Sequence, residues 1–139
     1  MATAVAPDRK VDAQRDSDEQ PFTLGSVWMV QLIRVKPGHN IEYMRDLAAT
    51  DKRLFEELKK EGLILSYKIL GGMPASREDF NTIVMIEYPN YAAFDKVEKY
   101  DEVRRRVIGS LGEAQQFAQK RAEIREVIGA KVMQENRLK

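Results

Sequence analysis

The order of apolar runs in this sequence predicts an α+β domain: a four-stranded antiparallel sheet carrying helices on one face. Three observations lead there. Strand-like and helix-like segments follow one another as strand, helix, strand, strand, helices, strand. Turn signals (Pro37 with Gly38, Gly62, Gly71 with Gly72, Pro89 with Asn90) fall between those segments and not within them. The first strand is apolar on both of its sides, which places it in the middle of the sheet with something packed above and below.

Residues 27–35 (VWMVQLIRV) form that strand, closed by Lys36, Pro37 and Gly38. A helix follows, with Asn40 able to cap it and Ile41, Met44, Leu47, Ala48, Leu54, Phe55 and Leu58 recurring at three- and four-residue spacing. Gly62 ends it. Residues 63–70 (LILSYKIL) alternate as a second strand, with Leu63, Leu65, Tyr67 and Ile69 expected on one face. A loop through Pro74 and Asp79 leads to a third strand, residues 82–88 (TIVMIEY), its antiparallel partner. Asn90 caps the next helix, whose apolar side holds Tyr91, Phe94, Val97, Val103, Val107 and Ile108. Ser110 and Glu113 have capping-box spacing and open a further helix with Phe117, Ala118 and Ile124 as its apolar side. Residues 127–133 (VIGAKVM) read as a fourth strand, with continuation of the helix to Arg137 as the alternative.

This order of elements is the split βαβ arrangement of ferredoxin-like domains. Such a sheet has one bare face. Trp28, Val30 and Leu32 would occupy it in strand one, while Val27, Met29, Ile33 and Val35 fill the other side. Leaving apolar sheet in water is unfavourable by about 25 cal/mol per Å2. Trp28, Val30 and Leu32 are therefore expected to form an interface with a second copy of the chain, as a homodimer or a larger assembly.

Composition narrows the function. The chain has 139 residues and 43% hydrophobic content, the size of one domain, with residues 1–24 read as a flexible polar tail and residues 25–139 as the fold. Lys and Arg number 23 against 22 Asp and Glu, so nothing marks a nucleic-acid binder. Cysteine is absent, which removes thiolate catalysis and Cys-based zinc sites, and His39 is the one histidine. No cofactor or metal is expected. The first twenty residues lack an apolar core, and no apolar run approaches the roughly 18 residues of a membrane span. A cytoplasmic protein without membrane contact is expected, exported only if a leader has been removed.

Two segments, VQLIRVKPGHNIEYMRDL and NTIVMIEYPNYAAFDK, resemble dimeric α/β-barrel proteins, the group of antibiotic-biosynthesis-type monooxygenases and stress-responsive barrel domains. The likeness covers roughly residues 26–108 and lies in the hydrophobic pattern, the Pro-Gly turn and the helix-two aromatic. It implies two ferredoxin-like sheets paired into a barrel, with a ligand cleft between sheet and helices in each subunit. Haem-degrading members of the group use an Asn in strand one with a Trp and a His in helix two. Aligned on Gly38 and Phe94, those places hold Gln31, Val97 and Val107, so haem degradation is not expected. Haem-peroxidase relatives need a proximal His, and His39 sits instead in the Pro-Gly turn, where a surface capping role is expected.

Gln31 is a polar group in the middle of an apolar strand. By the resemblance it faces the cleft; the plainer reading pairs it with backbone or with Tyr67. Tyr67, Met85 and Tyr88 complete the expected cleft. Ser66 and Lys68 share a strand face but read as an ordinary edge, and Arg104, Arg105 and Arg106 as a solvated helix face. Glu87, next to Tyr88 and Pro89, is expected at the rim, in water. Two functions stay open. One is a dimeric barrel holding a small, mostly apolar molecule; the other is a cofactor-independent monooxygenase or isomerase acting on such a molecule.

Overall fold

A computed structural model describes residues 20–139. The strands are β1 (Phe22–Val35), β2 (Ser66–Gly71), β3 (Thr82–Tyr88) and β4 (Arg125–Leu138). They form one sheet in the order β2-β3-β1-β4. Both β1 and β2 run antiparallel to β3, with Gln31 opposite Val84, Trp28 opposite Glu87 and Tyr67 opposite Ile86. This is the ferredoxin-like α+β fold that the element order predicts. The residues fall into two compact units, one of Ser26–Gln134 and one of residues 20–25 with Glu135–Lys139. In the smaller unit the Lys139 N–H donates to the Pro21 carbonyl at 2.9 Å. The larger unit carries the helices and the core.

Strand β1 begins five residues before the expected Val27, so residues 22–24, assigned to the tail, are strand. The expected flexibility of the tail otherwise falls on residues outside those described. The fourth strand is real and longer than residues 127–133, and the helical alternative for this segment is excluded.

The first helical stretch is α1 (Asn40–Asp46), a π-helical turn (Leu47–Asp51) and α2 (Lys52–Lys60). The Lys52 N–H bonds to the Leu47 carbonyl, the five-residue reach of a π turn. A wider turn absorbs a residue and changes the phase of the stripe. Tyr43 and Leu47 therefore join Phe55 and Leu58 on the buried side, while Ile41 and Met44, expected there, are 66% and 47% exposed. His39 occupies the N-cap position in place of Asn40 but makes no side-chain cap; its Nδ1 meets Glu42 Oε2 at 2.8 Å. At the far end Gly62 takes φ of 71°, and Leu63 N–H reaches back to the Leu58 carbonyl at 3.0 Å.

That cap drives Leu63 and Ile64 together into the core before the strand starts, and the Tyr100 hydroxyl donates to the Leu63 carbonyl at 2.8 Å. The alternation expected from Leu63 onward consequently begins only at Ser66. After β3, Asn90 caps a 3-10 turn (Tyr91–Asp95) by accepting from the Ala93 N–H at 3.1 Å. Helix α3 (Val97–Val107) follows, then α4 (Leu111–Ala122), opened by the Ser110–Glu113 capping box.

The α4 helix departs from expectation: Ala118 is exposed, and the buried residue on its inner side is Arg121. Its guanidinium binds the Asp51 carboxylate through both terminal nitrogens, at 3.0 and 2.6 Å, and lies 4.3 Å from the Phe117 ring centroid. Asp46 lies 3.8 Å from its Nε. The charge is thus neutralised where α4 crosses the π turn.

Candidate functional site

The register sorts the sheet into two faces, because residues directly opposite across antiparallel strands point the same way. On the helix side lie Val27, Met29, Gln31, Ile33 and Val35 of β1, Val84, Ile86 and Tyr88 of β3, and Tyr67 and Ile69 of β2. Ile33, Val35 and Val84 join Tyr43, Leu47, Phe55, Leu58 and Val103 in the core cluster, so the helices cover this face. On the open side lie Trp28, Val30, Leu32, Ile83, Met85 and Leu70, with Ser26, Ser66, Lys68 and Glu87 among them. Arg34 reaches Glu126 of β4 on the same side, at 3.0 Å. The bare face is apolar across three strands.

These faces divide the expected cleft residues. Gln31, Tyr67 and Tyr88 share the helix side, but Met85 does not: it stands opposite Val30 and Lys68 on the open face. Its place is with Trp28, Val30 and Leu32. The strand parity of β3 carried that information, since Met85 alternates with Val84 and Ile86. Tyr88 is held in the aromatic core, its ring 4.6 Å from Phe94 and 6.1 Å from Tyr100 by centroids. Gln31 sits half-buried in the row Ile69, Val84, Gln31, while Tyr67 belongs to the neighbouring row and donates its hydroxyl to Glu56 at 2.8 Å. The Gln31–Tyr67 pair is therefore not formed.

Of these residues only Tyr67 lines the apolar groove that the fold leaves between sheet and helices. The groove, about 170 Å3, is walled by Met44, Leu47, Ala48, Phe55, Tyr67 and Ile69, with Asp51 and Lys52 at its rim. The π turn builds one wall, and Tyr67 packs on Phe55 at 4.9 Å between centroids. Arg121 already neutralises Asp51, so the rim carboxylate is engaged before any ligand arrives. The helix periodicity places Met44, Leu47, Ala48 and Phe55 on one side, but nothing in it shows that Tyr67 and Ile69 of β2 close that side into a groove.

The open face holds a polar group in an unexpected setting. Glu87 is half-buried in mid-sheet, where both carboxylate oxygens accept hydroxyl bonds, from Ser26 at 2.5 Å and from Ser66 at 2.6 Å. The Lys68 ammonium stands 5.7 Å from the Trp28 ring centroid. Ser66 and Lys68 are thus engaged with different partners. Among the described residues no group of three or more His, Cys, Asp or Glu could hold a metal ion, and no helix is long and apolar enough to cross a membrane.

Four tyrosines hold their protons more tightly than a free phenol. Burial raises Tyr43, Tyr67, Tyr88 and Tyr100, with the Glu56 carboxylate adding to the effect at Tyr67. The nearby Arg125 and Arg121 only partly offset the rise at Tyr43. A group whose folded pKa is raised gives stability that is intact below its unfolded value, here 10.0, and lost as pH climbs through the folded value. Urea midpoints should therefore decline above pH 10 as these phenols come to favour the unfolded chain. A midpoint independent of pH through that range would contradict the burial.

No family model matches the chain, and no curated protein does. Among solved structures it is similar to a dimeric ferredoxin-like protein from an uncultured marine organism, with 16% identity and a TM-score of 0.47 over 84% of this chain and 96% of that one.

Proposed function

We propose that two copies of the chain pack the open faces of their sheets together, and that each holds a small, mostly apolar molecule in the groove walled by Met44, Leu47, Ala48, Phe55, Tyr67 and Ile69. The observation that carries this reading is a sheet apolar on both faces with helices on only one. A second copy fits the bare face because Trp28, Val30, Leu32, Ile83 and Met85 would then be covered by the same apolar set on the partner. The likeness of residues 26–108 to dimeric α/β-barrel proteins supports the same arrangement.

The ligand is limited by volume. A hollow of about 170 Å3 suits a single aromatic ring or a short branched chain; apolar cavities near 150 Å3 take benzene. Benzene and indole, followed by ligand-detected NMR, are suitable probes. Ala48→Phe, which fills the groove from the π turn, should abolish the signal while leaving the far-UV spectrum unchanged. Undiminished binding in that variant would place the ligand elsewhere.

The cofactor-independent monooxygenase or isomerase reading has one observation in its favour. Tyr67 and Glu56 form a phenol–carboxylate hydrogen bond beside the groove, the arrangement that could orient a substrate oxygen or move a proton. Binding is the function that the groove supports better, because Gln31 does not line it and Glu56 is already occupied by Tyr67.

A further inference from the structure

We infer that β4 is a second self-association surface, pairing antiparallel with β4 of another copy about a two-fold axis through Ala130. It is independent of the open-face pairing. Strand β4 ends the sheet, runs 14 residues, and has one edge without a neighbouring strand among the described residues. Natural edge strands are ordinarily short, bulged, or guarded by Pro and charge. The opposite edge, β2, fits that rule, with six residues and Lys68 on it. Strand β4 has no Pro, and four of its five charges lie near its ends, so its central stretch, residues 127–134, holds only Lys131 over a length greater than the whole of β2. It also exposes apolar side chains: Val127 47% and Met133 55% on the helix side, and Ile128 42% and Val132 41% on the open side, where the open-face pairing would cover them.

What selects a second copy as the partner is the chemical symmetry of the strand. With Ala130 on the axis, Ile128 lies opposite the partner's Val132, Val127 opposite the partner's Met133, and Arg125 opposite the partner's Glu135. Glu126 meets the partner's Gln134, and Lys131 meets the partner's Gly129. Apolar pairs thus form on both faces, and the outermost pair joins opposite charges. Neighbouring registers that keep the faces aligned are worse. Moving the axis to Lys131 sets that lysine against its own copy and Arg125 against the partner's Arg137. Moving it to Gly129 sets Glu126 against the partner's Val132 and Lys131 against the partner's Val127. Of these three registers, the one centred on Ala130 satisfies the strand.

Val127 and Met133 alternate with Glu126, which joins Arg34 on the open face, so both lie on the helix side and can be changed without touching the open-face residues. The full-length chain carrying Val127→Glu with Met133→Glu places carboxylates opposite one another twice. Its mass by sedimentation velocity should fall twofold from that of the parent. The chain carrying Val127→Glu with Met133→Lys restores opposite charges at the same two places and should regain the parent mass at low salt. An unchanged mass in the first variant would overturn the pairing, and an equal fall in both would overturn the register. Because the ratio is twofold whether or not the open faces are paired, the outcome is separable from that of the open-face reading.

Discussion

Leu32→Asp is expected to separate the open-face pair into folded subunits of half the parental mass. Leu32 lies opposite Ile83 at the centre of the bare face, outside the core cluster, so its replacement leaves the packing of helix on sheet untouched. Within the pair the new carboxylate would leave water amid Val30, Ile83 and Leu70, while Arg34 on the same face is already paired with Glu126. Burying an uncompensated charge costs several kcal/mol, and even about 3 kcal/mol weakens association more than 100-fold. A dilution series by sedimentation velocity, alongside a far-UV spectrum to establish folding, measures both quantities. Parental mass in the variant would mean that the open face is not the contact.

Arg121→Ala is expected to produce a loss of stability as large as that of emptying a core position. The Arg121 side chain is 6% exposed and that of Asp51 17%, so removing the guanidinium strands a largely desolvated carboxylate, and the stacking on Phe117 goes with it. Breaking a buried pair from one side costs about 3–5 kcal/mol. Removing both partners should cost less, so Arg121→Met with Asp51→Leu is expected to recover a large part of the loss. Urea unfolding of the three proteins decides the matter. A loss under about 1 kcal/mol for Arg121→Ala would give the pair no more weight than an exposed one.

The fold was legible because its elements are written in local chemistry. Residues 82–88 alternate between flanking breaks and form β3 over that range. Ser110 and Glu113 cap α4 in both directions, as their spacing requires. Strand β1 declares itself central by being apolar on each side. The groove was less legible, because it depends on events that no period marks. A π turn at Leu47–Asp51 rotates the first helical stretch and leaves Met44 half-exposed in the groove wall, where a regular helix would bury it. The Leu63 and Ile64 pair enters the core from a loop.

Gln31 is a polar residue in an apolar strand, yet it sits two strands away from Ile69, the member of its row that walls the groove. Arg121 drew none, although it follows Ala114 and Phe117 at the spacing of the buried side of α4. An arginine in an apolar stripe, with two aspartates in the facing helix, is a recognisable sign of a buried pair. Met85 was placed in the wrong layer although the parity of β3 fixes it once Val84 is known to be core.

Trp28 is the one tryptophan, and it lies on the open face, so its fluorescence reports the central claim directly. Emission of the parent protein should be blue-shifted at high concentration and move red on dilution, in step with a halving of sedimentation mass. A constant, water-like emission together with a single-chain mass at every concentration would contradict the pairing of the sheets.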